Sequence, residues 1–488
     1  MNFIKIFVFS FIFYFFSWVL VDTLGINKLA VQSEDTIPAM FIPVTILKEG
    51  TIYTDTYYNM IIQRYPHPDD KDYKLGLTPF YLKKINPTAD PTVCVEFGSQ
   101  VKSSDFDRLC NTHYISAFPI ISGLIAILVY ILPVGLGMVI TFENLAFLSH
   151  MAAALVMAMS GGVMYLLLNN YLIKNSRKSL LVTFIYLFSS VNFALISQAL
   201  WQHGPVQLFL LLAIYMFAGI IFEKQEKLDL KKTFLGGLFM GISVLSRPTA
   251  GLPVIVLSVF LVYLILKSYS KKSLLQFLLL VVAGLTLCFL FFVWYNKTYY
   301  ISIENQGYFN QLGRSWLSKF PEGFLGMWIS PSKGILTYSP VFLFSLLGAF
   351  IVFKRKNYKE DSLYIASIII ILLHTLIVGR WKHWYGGWSF GYRMSSDILP
   401  FLTLLLVPYI KSDFFNKTKN IFVVLISISV LVQIMGIVFF DGVWHAAYDK
   451  GFDETSWLWS IKDSEMVFNI RRILVKVGLL EKACDICL

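Results

Sequence analysis

Apolar runs long enough to cross a bilayer recur along the whole chain, and this constrains its fold more than any single motif. The first, Phe3 to Val21, is apolar and aromatic apart from Lys5 and a few hydroxyls. A helix of about 20 such residues spans the hydrocarbon core. Further runs fall at roughly 118–140, 145–170, 179–196, 206–222, 233–246, 251–266, 273–294, 335–353, 362–379, 396–410 and 421–440. Of the 488 residues 56% are hydrophobic and only 15% charged, a balance that excludes a soluble globular domain. In lipid every backbone polar group needs an internal partner, so an all-α polytopic membrane protein is expected. A signal peptide is the other reading of the first run, but no small-residue cleavage site follows it. The net charge of +11 does not point to nucleic acid, because many Lys and Arg residues cluster in short connectors between apolar runs.

Those connectors are Lys174–Lys178, Lys224–Lys232, Lys267–Lys272, Lys354–Lys359 and Lys411–Lys419. With a cytoplasmic N-terminus, all five are cytoplasmic only if one of the two runs between Val21 and Lys174 fails to cross. The stretch 117–140 is the better candidate, since Pro119, Gly123, Pro133, Gly135 and Gly137 interrupt it. It is read as a re-entrant or interfacial element, which leaves about 11 transmembrane helices. Residues 1–440 then form one membrane domain, with 22–116 as a long first extracytoplasmic loop and 441–488 as an extracytoplasmic tail. Twelve spans with an outer N-terminus rank second. Within the first loop, Pro38 and Pro43 suggest that Ile37–Leu47 is a broken helix lying along the interface. Cys94 with Cys110, and Cys484 with Cys487, are read either as disulfides or as free thiols.

Five polar constellations fall on the side of the membrane opposite the basic connectors. They are Glu34-Asp35, Gln198 to Pro205, Leu245 to Ala250, Ser330 to Gly334 with Tyr338, and Arg380 to Arg393. Basic residues at those helix ends are not explained by the positive-inside rule and are candidates for binding an anion. A carboxylate where a membrane helix meets water can deprotonate a hydroxyl beside a lipid-borne substrate. The stretch His67 to Asp72 is read as a solvated loop in preference to a hard-metal site.

This order of motifs, with Gln-His-Gly-Pro, Ser-Arg-Pro-Thr, Ser-Pro-x-x-Gly before Tyr-Ser-Pro, and Trp-x-Gly-Gly-Trp-Ser-Phe-Gly-x-Arg after an acidic pair, resembles bacterial integral-membrane glycosyltransferases of the GT-C class. It is similar to the protein mannosyltransferase and aminoarabinose transferase families. The resemblance implies a shared helical core, juxtamembrane helices in the first outer loop, and a sugar donor carried on a polyprenyl phosphate. It further implies transfer to a lipid-linked glycan, lipid or protein acceptor at the outer face of the inner membrane. Asp35 matches the position that serves these enzymes as base or acceptor-orienting group. The order here is Glu34-Asp35 where many members show Asp-Glu, so either carboxylate can act. Arg247 matches the cation that holds lipid phosphate. Arg393, His203 and Lys333 are further phosphate candidates, and a structural pair of Arg393 with Asp397 competes with that role. Trp384, Tyr385, Trp388 and Tyr392 form a sugar-stacking surface or an interfacial belt, with Asp55 a second acidic candidate. No cofactor is required and no metal ligands are assigned, although a divalent ion is compatible with the scheme. The alternative is a transporter or flippase for an anionic substrate, which would place ionisable residues mid-span.

Overall fold

The computed structural model describes residues 3–25, 31–85, 113–223, 228–300, 317–355, 357, 361–451 and 453–481. Cys94, Cys110, Cys484 and Cys487 lie outside these, whereas Cys288 is a buried free thiol. The chain is helical almost throughout. Its helices are α1 (Phe3–Thr23), α2 (Ile37–Glu49), α3 (Tyr58–Arg64), α4 (Ile121–Gly135), α5 (Phe142–Leu167), α6 (Ser176–Phe188), α7 (Val191–Ala194) and α8 (His203–Met216). They continue as α9 (Leu230–Ser246), α10 (Gly251–Ser268), α11 (Lys271–Tyr299), α12 (Glu322–Ile329), α13 (Ile335–Tyr338), α14 (Leu343–Arg355) and α15 (Ser362–Val378). Last come α16 (Leu399–Leu404), α17 (Leu406–Ile410), α18 (Asp413–Phe439), α19 (Val443–Tyr448) and α20 (Glu465–Lys476). One antiparallel hairpin, β1 (Leu82–Ile85) with β2 (His113–Ser116), pairs Leu82 with Ser116 and Ile85 with His113.

Seven helical segments among the described residues are long and apolar enough to cross a membrane, or eight if the bent pair Ser176–Phe188 and Val191–Gln198 is one span. They make this a helical membrane protein. Several of the expected runs fall short of that length for identifiable reasons. Pro340 splits 335–353 into α13, a 3-10 turn and α14. The 17 residues of α9 reach only about 25 Å, and the 15 of α4 about 22 Å. α4 packs against α2, and a Cβ on Gly123 would meet Ile42 at 2.8 Å.

The expectation of a broken interfacial helix at Ile37–Leu47 is corrected. α2 is continuous, and every residue from Ile37 to Thr45 is buried. Pro38 sits in the first turn, where its missing N–H has no intrahelical partner to lose. Pro43 is tolerated because packing against α4 and α5 holds the helix. Helices α9 and α11 approach closely, and a Cβ on Gly284 would lie 2.5 Å from the Leu238 amide nitrogen. Small residues let the two backbones touch there, as in other membrane helix pairs.

The helices share a polarity. α9 begins at Lys231-Lys232 and ends at Arg247, while α18 begins beside Lys417 and Lys419 and ends at Phe440-Asp441. α10 runs from the Arg247 end to Lys267, and α15 from the Arg355 side to Arg380. Basic connectors thus gather at one end of the bundle and the polar constellations at the other. The segment after Asp441 packs back over that second end. Trp444, Trp457, Leu458 and Phe468 share a buried cluster with Met327, Trp384 and Tyr385.

Candidate functional site

At the polar end of the bundle lies a cavity of about 940 Å³. Its wall combines Glu34 and Asp35 after α1, Trp201 and His203 at the start of α8, and Arg247 at the end of α9. Trp381, His383, Trp388 and Arg393 from the loop after α15 close another side, with Phe440, Asp441 and Gly442 beyond α18. Six sequence candidates, Glu34, Asp35, His203, Arg247, Trp388 and Arg393, therefore converge on one space.

The acidic pair is positioned by local chain chemistry. Ser33 is extended, and its hydroxyl accepts from the Asp35 amide at 3.4 Å, starting the 3-10 turn Glu34–Thr36 that feeds α2. A helix start favours negative charge nearby. Asp35 Oδ2 accepts from Arg393 Nη1 at 2.7 Å, and the pair is half-buried. The Arg393 guanidinium stacks 4.8 Å over the Trp201 ring, and its Nε is buried with no hydrogen-bond partner among the described residues. Burial, then the neighbouring Asp35 charge, pushes the Glu34 carboxyl up to about 7. That is a useful value for a group that must accept a proton near neutral pH.

Deeper in the wall, Asp397 is fully buried and accepts from three sides: Arg247 Nη1 at 2.5 Å, His203 Nδ1 at 2.7 Å and Thr249 Oγ1 at 3.0 Å. Donation from Nδ1 to Asp397 fixes the imidazole so that Nε2 is its acceptor nitrogen. The α-helical spacing of Arg393 and Asp397 offers a structural pair as the alternative to phosphate binding, and the structure corrects this. Residues Arg393–Ile398 form a 3-10 helix, in which positions four apart no longer share a face. Arg393 turns to Asp35, and Asp397 is left to Arg247 and His203.

Other sequence candidates sit elsewhere. Lys333 does not line the cavity: it is 1% exposed, donates to the Ser389 carbonyl and to His445 Nε2, and lies 3.8 Å from Glu465. Burial pushes its ammonium down to about 8 and raises the Glu465 carboxyl. Tyr392 is buried against Ser339 Oγ at 2.7 Å. Trp384 and Tyr385 are core residues at 2% and 3% exposure, packed on Met327 and Trp457. Asp55 opens the 3-10 turn Asp55–Tyr57 beside β2, where it accepts from the Tyr114 amide at 2.6 Å and meets His113 Nδ1 at 2.5 Å. Of the aromatic motif only Trp388 faces the cavity, half exposed, with its indole N–H on Asp449. Gly386 and Gly387 adopt positive φ of 83° and 62°, turning the loop so that Arg393 packs beneath it.

Trp381 and His383 fall within the Arg380–Arg393 constellation without being singled out as site residues by the sequence, which marks Asp441 only as the start of the tail. Asp441 is clamped by both terminal nitrogens of Arg472, at 2.6 and 3.1 Å. In the loop His67–Asp72, expected to be solvated, Asp70 is instead buried and accepts from the Leu75 and Leu77 amides. No family model, curated protein or solved structure matches this chain.

Proposed function

We propose that this chain is a GT-C-type membrane glycosyltransferase of about eleven spans. It moves a sugar from a polyprenyl phosphate to a hydroxyl of a lipid-linked glycan, lipid or protein at the outer face of a bacterial inner membrane. The observation that carries this reading is the pairing of Glu34-Asp35 with Arg393 in a large, aromatic-rimmed cavity at the end of a membrane-helix bundle. A base for the acceptor hydroxyl and a cation for the leaving phosphate serve the two charge changes of the transfer, and an aromatic surface offers a face to the sugar ring.

In the proposed reaction, Glu34 takes the proton of the acceptor hydroxyl. The acceptor oxygen attacks the anomeric carbon from the face opposite the phosphate, forming one C–O bond as the bond to the phosphate oxygen breaks. The electron pair leaves with the polyprenyl phosphate, whose developing charge faces Arg393. An incoming phosphodiester therefore competes with Asp35 for Arg393, and donor binding frees Asp35 to orient the acceptor. Arg247, assigned to phosphate by the resemblance, instead holds Asp397 and so fixes His203 in the wall. Trp388 and Trp381 offer the faces on which a sugar ring stacks.

The test is sugar transfer or release from a panel of polyprenyl-phosphate sugars by purified protein in lipid nanodiscs. Turnover by the wild type that falls at least about 100-fold in Glu34→Gln, the order expected for loss of a general base, supports the proposal. Turnover equal in both proteins would remove Glu34 from the chemistry. Transmembrane flux of an anionic lipid without any sugar transfer would favour a transporter.

A further inference from the structure

The C-terminal helix α20 is turned the opposite way from a helix packed on a soluble core. Glu465, Phe468, Asn469 and Arg472, which recur at helical spacing, are its buried face, with Glu465 at 1% and Asn469 at 2% exposure. The outward face carries Val467, Ile470, Leu474 and Val477, of which Ile470 is 47% and Val477 60% exposed. Leu479 and Leu480 follow in the same exposed condition. Lys462 and Arg471 flank this apolar stripe.

The height of the helix is also fixed. Arg472 Nη1 donates to the Phe439 carbonyl at 3.1 Å, the last residue of the membrane-length helix α18. α20 is thus tied to the level at which a span leaves the hydrocarbon. α18 itself presents Leu431 and Ile434 outward just below that level. An apolar stripe at that height, with polar groups turned inward and basic residues at its margin, matches an interfacial amphipathic helix. Facing water, the same stripe would leave several large apolar side chains unsatisfied.

We infer that α20 lies in the headgroup boundary of the membrane that the bundle spans, its outward face in the acyl region and Lys462 and Arg471 at the phosphates. Through Arg472–Asp441 it then ties the cavity wall to the lipid surface. The occupant of this face is lipid; a second copy of the chain or another protein is the outcome to be tested against it.

The experiment places the photo-crosslinker p-benzoylphenylalanine at Ile470, at Val477 and, as an aqueous control, at Glu454, each in the full chain in phospholipid nanodiscs. Phospholipid adducts at Ile470 and Val477 with none at Glu454 are expected. Adducts with a second copy of the chain, or no lipid adduct at either position, overturn the inference. As a readout free of the label, backbone amide exchange across Glu465–Lys476 is compared between wild type and the Ile470→Asp/Val477→Asp double variant in the same discs. Faster exchange in the variant is expected, and equal exchange counts against lipid insertion.

Discussion

Arg247 and Asp397 form a buried ion pair whose side chains are 6% and 0% exposed, so removing one partner strands the other charge away from water. Breaking such a pair typically costs about 3–5 kcal/mol, whereas replacing both partners with apolar residues of similar volume is far milder. Arg247→Met leaves Asp397 with His203 and Thr249 as donors, so its cost belongs at the lower end, about 3 kcal/mol. Asp397→Leu takes its carboxylate partner from a buried guanidinium, a fixed charge that cannot be shed, and belongs nearer about 4–5 kcal/mol. The double variant Arg247→Met/Asp397→Leu should recover about 2 kcal/mol or more relative to the sum of the singles. Equilibrium unfolding of the three variants and wild type in one mixed-micelle system measures all four corners of the cycle. Additivity within about 0.5 kcal/mol would refute the pairing and with it the account of how His203 is held.

Glu34 gives a pH prediction with a definite sign. Its carboxyl is raised from 4.5 to about 7 in the folded protein, so the stability linked to its protonated form is fully present below 4.5 and lost as pH rises through 7. Glu34→Gln should flatten that part of the stability profile, and wild-type sugar transfer should rise with pH through about 7. A pH-stability series on both proteins checks the first point, and a pH-rate profile the second. Lys333→Met should destabilise by about 3 kcal/mol, because buried Glu465 loses its cation and keeps the Tyr338 hydroxyl as a donor, yet leave affinity for a polyprenyl phosphate within about twofold. Thermal unfolding and a binding titration separate the two effects. Gly284→Ala should cost about 1–3 kcal/mol by forcing α9 and α11 apart, read in the same unfolding assay, with no change in the affinity of properly folded protein.

The sequence made the membrane class plain, because apolar runs report burial in lipid directly, and the basic connectors and polar constellations it marked gather at opposite ends of the bundle. Span number was harder to read. Pro340 and the bend between Phe188 and Val191 break runs that look continuous in composition. At the site, Glu34, Asp35, His203, Arg247 and Arg393 were all legible as charged or polar groups at helix ends. Their partners were not, since Asp35 meets Arg393 across 358 positions and Arg247 meets Asp397 across 150. The one pairing that spacing suggested failed because it assumed 3.6 residues per turn where the chain takes 3.0. The aromatic motif misled for a related reason: Trp384, Tyr385 and Tyr392 pack inward on residues from α12, the tail and Ser339, which no local pattern reveals. Only the third dimension separates Trp388 from its neighbours.

The most direct test of the site is binding of a sugar-free polyprenyl phosphate to the protein in nanodiscs of neutral lipid, comparing wild type, Arg393→Ala and Asp35→Asn. With Arg393 as the phosphate partner, Arg393→Ala should bind at least about tenfold more weakly, the loss of one charge-assisted contact. Asp35→Asn, which removes the competing carboxylate, should bind at least as tightly as wild type. Equal affinity in wild type and Arg393→Ala, or weaker binding in Asp35→Asn, would contradict the exchange of Asp35 for donor phosphate on which the account rests.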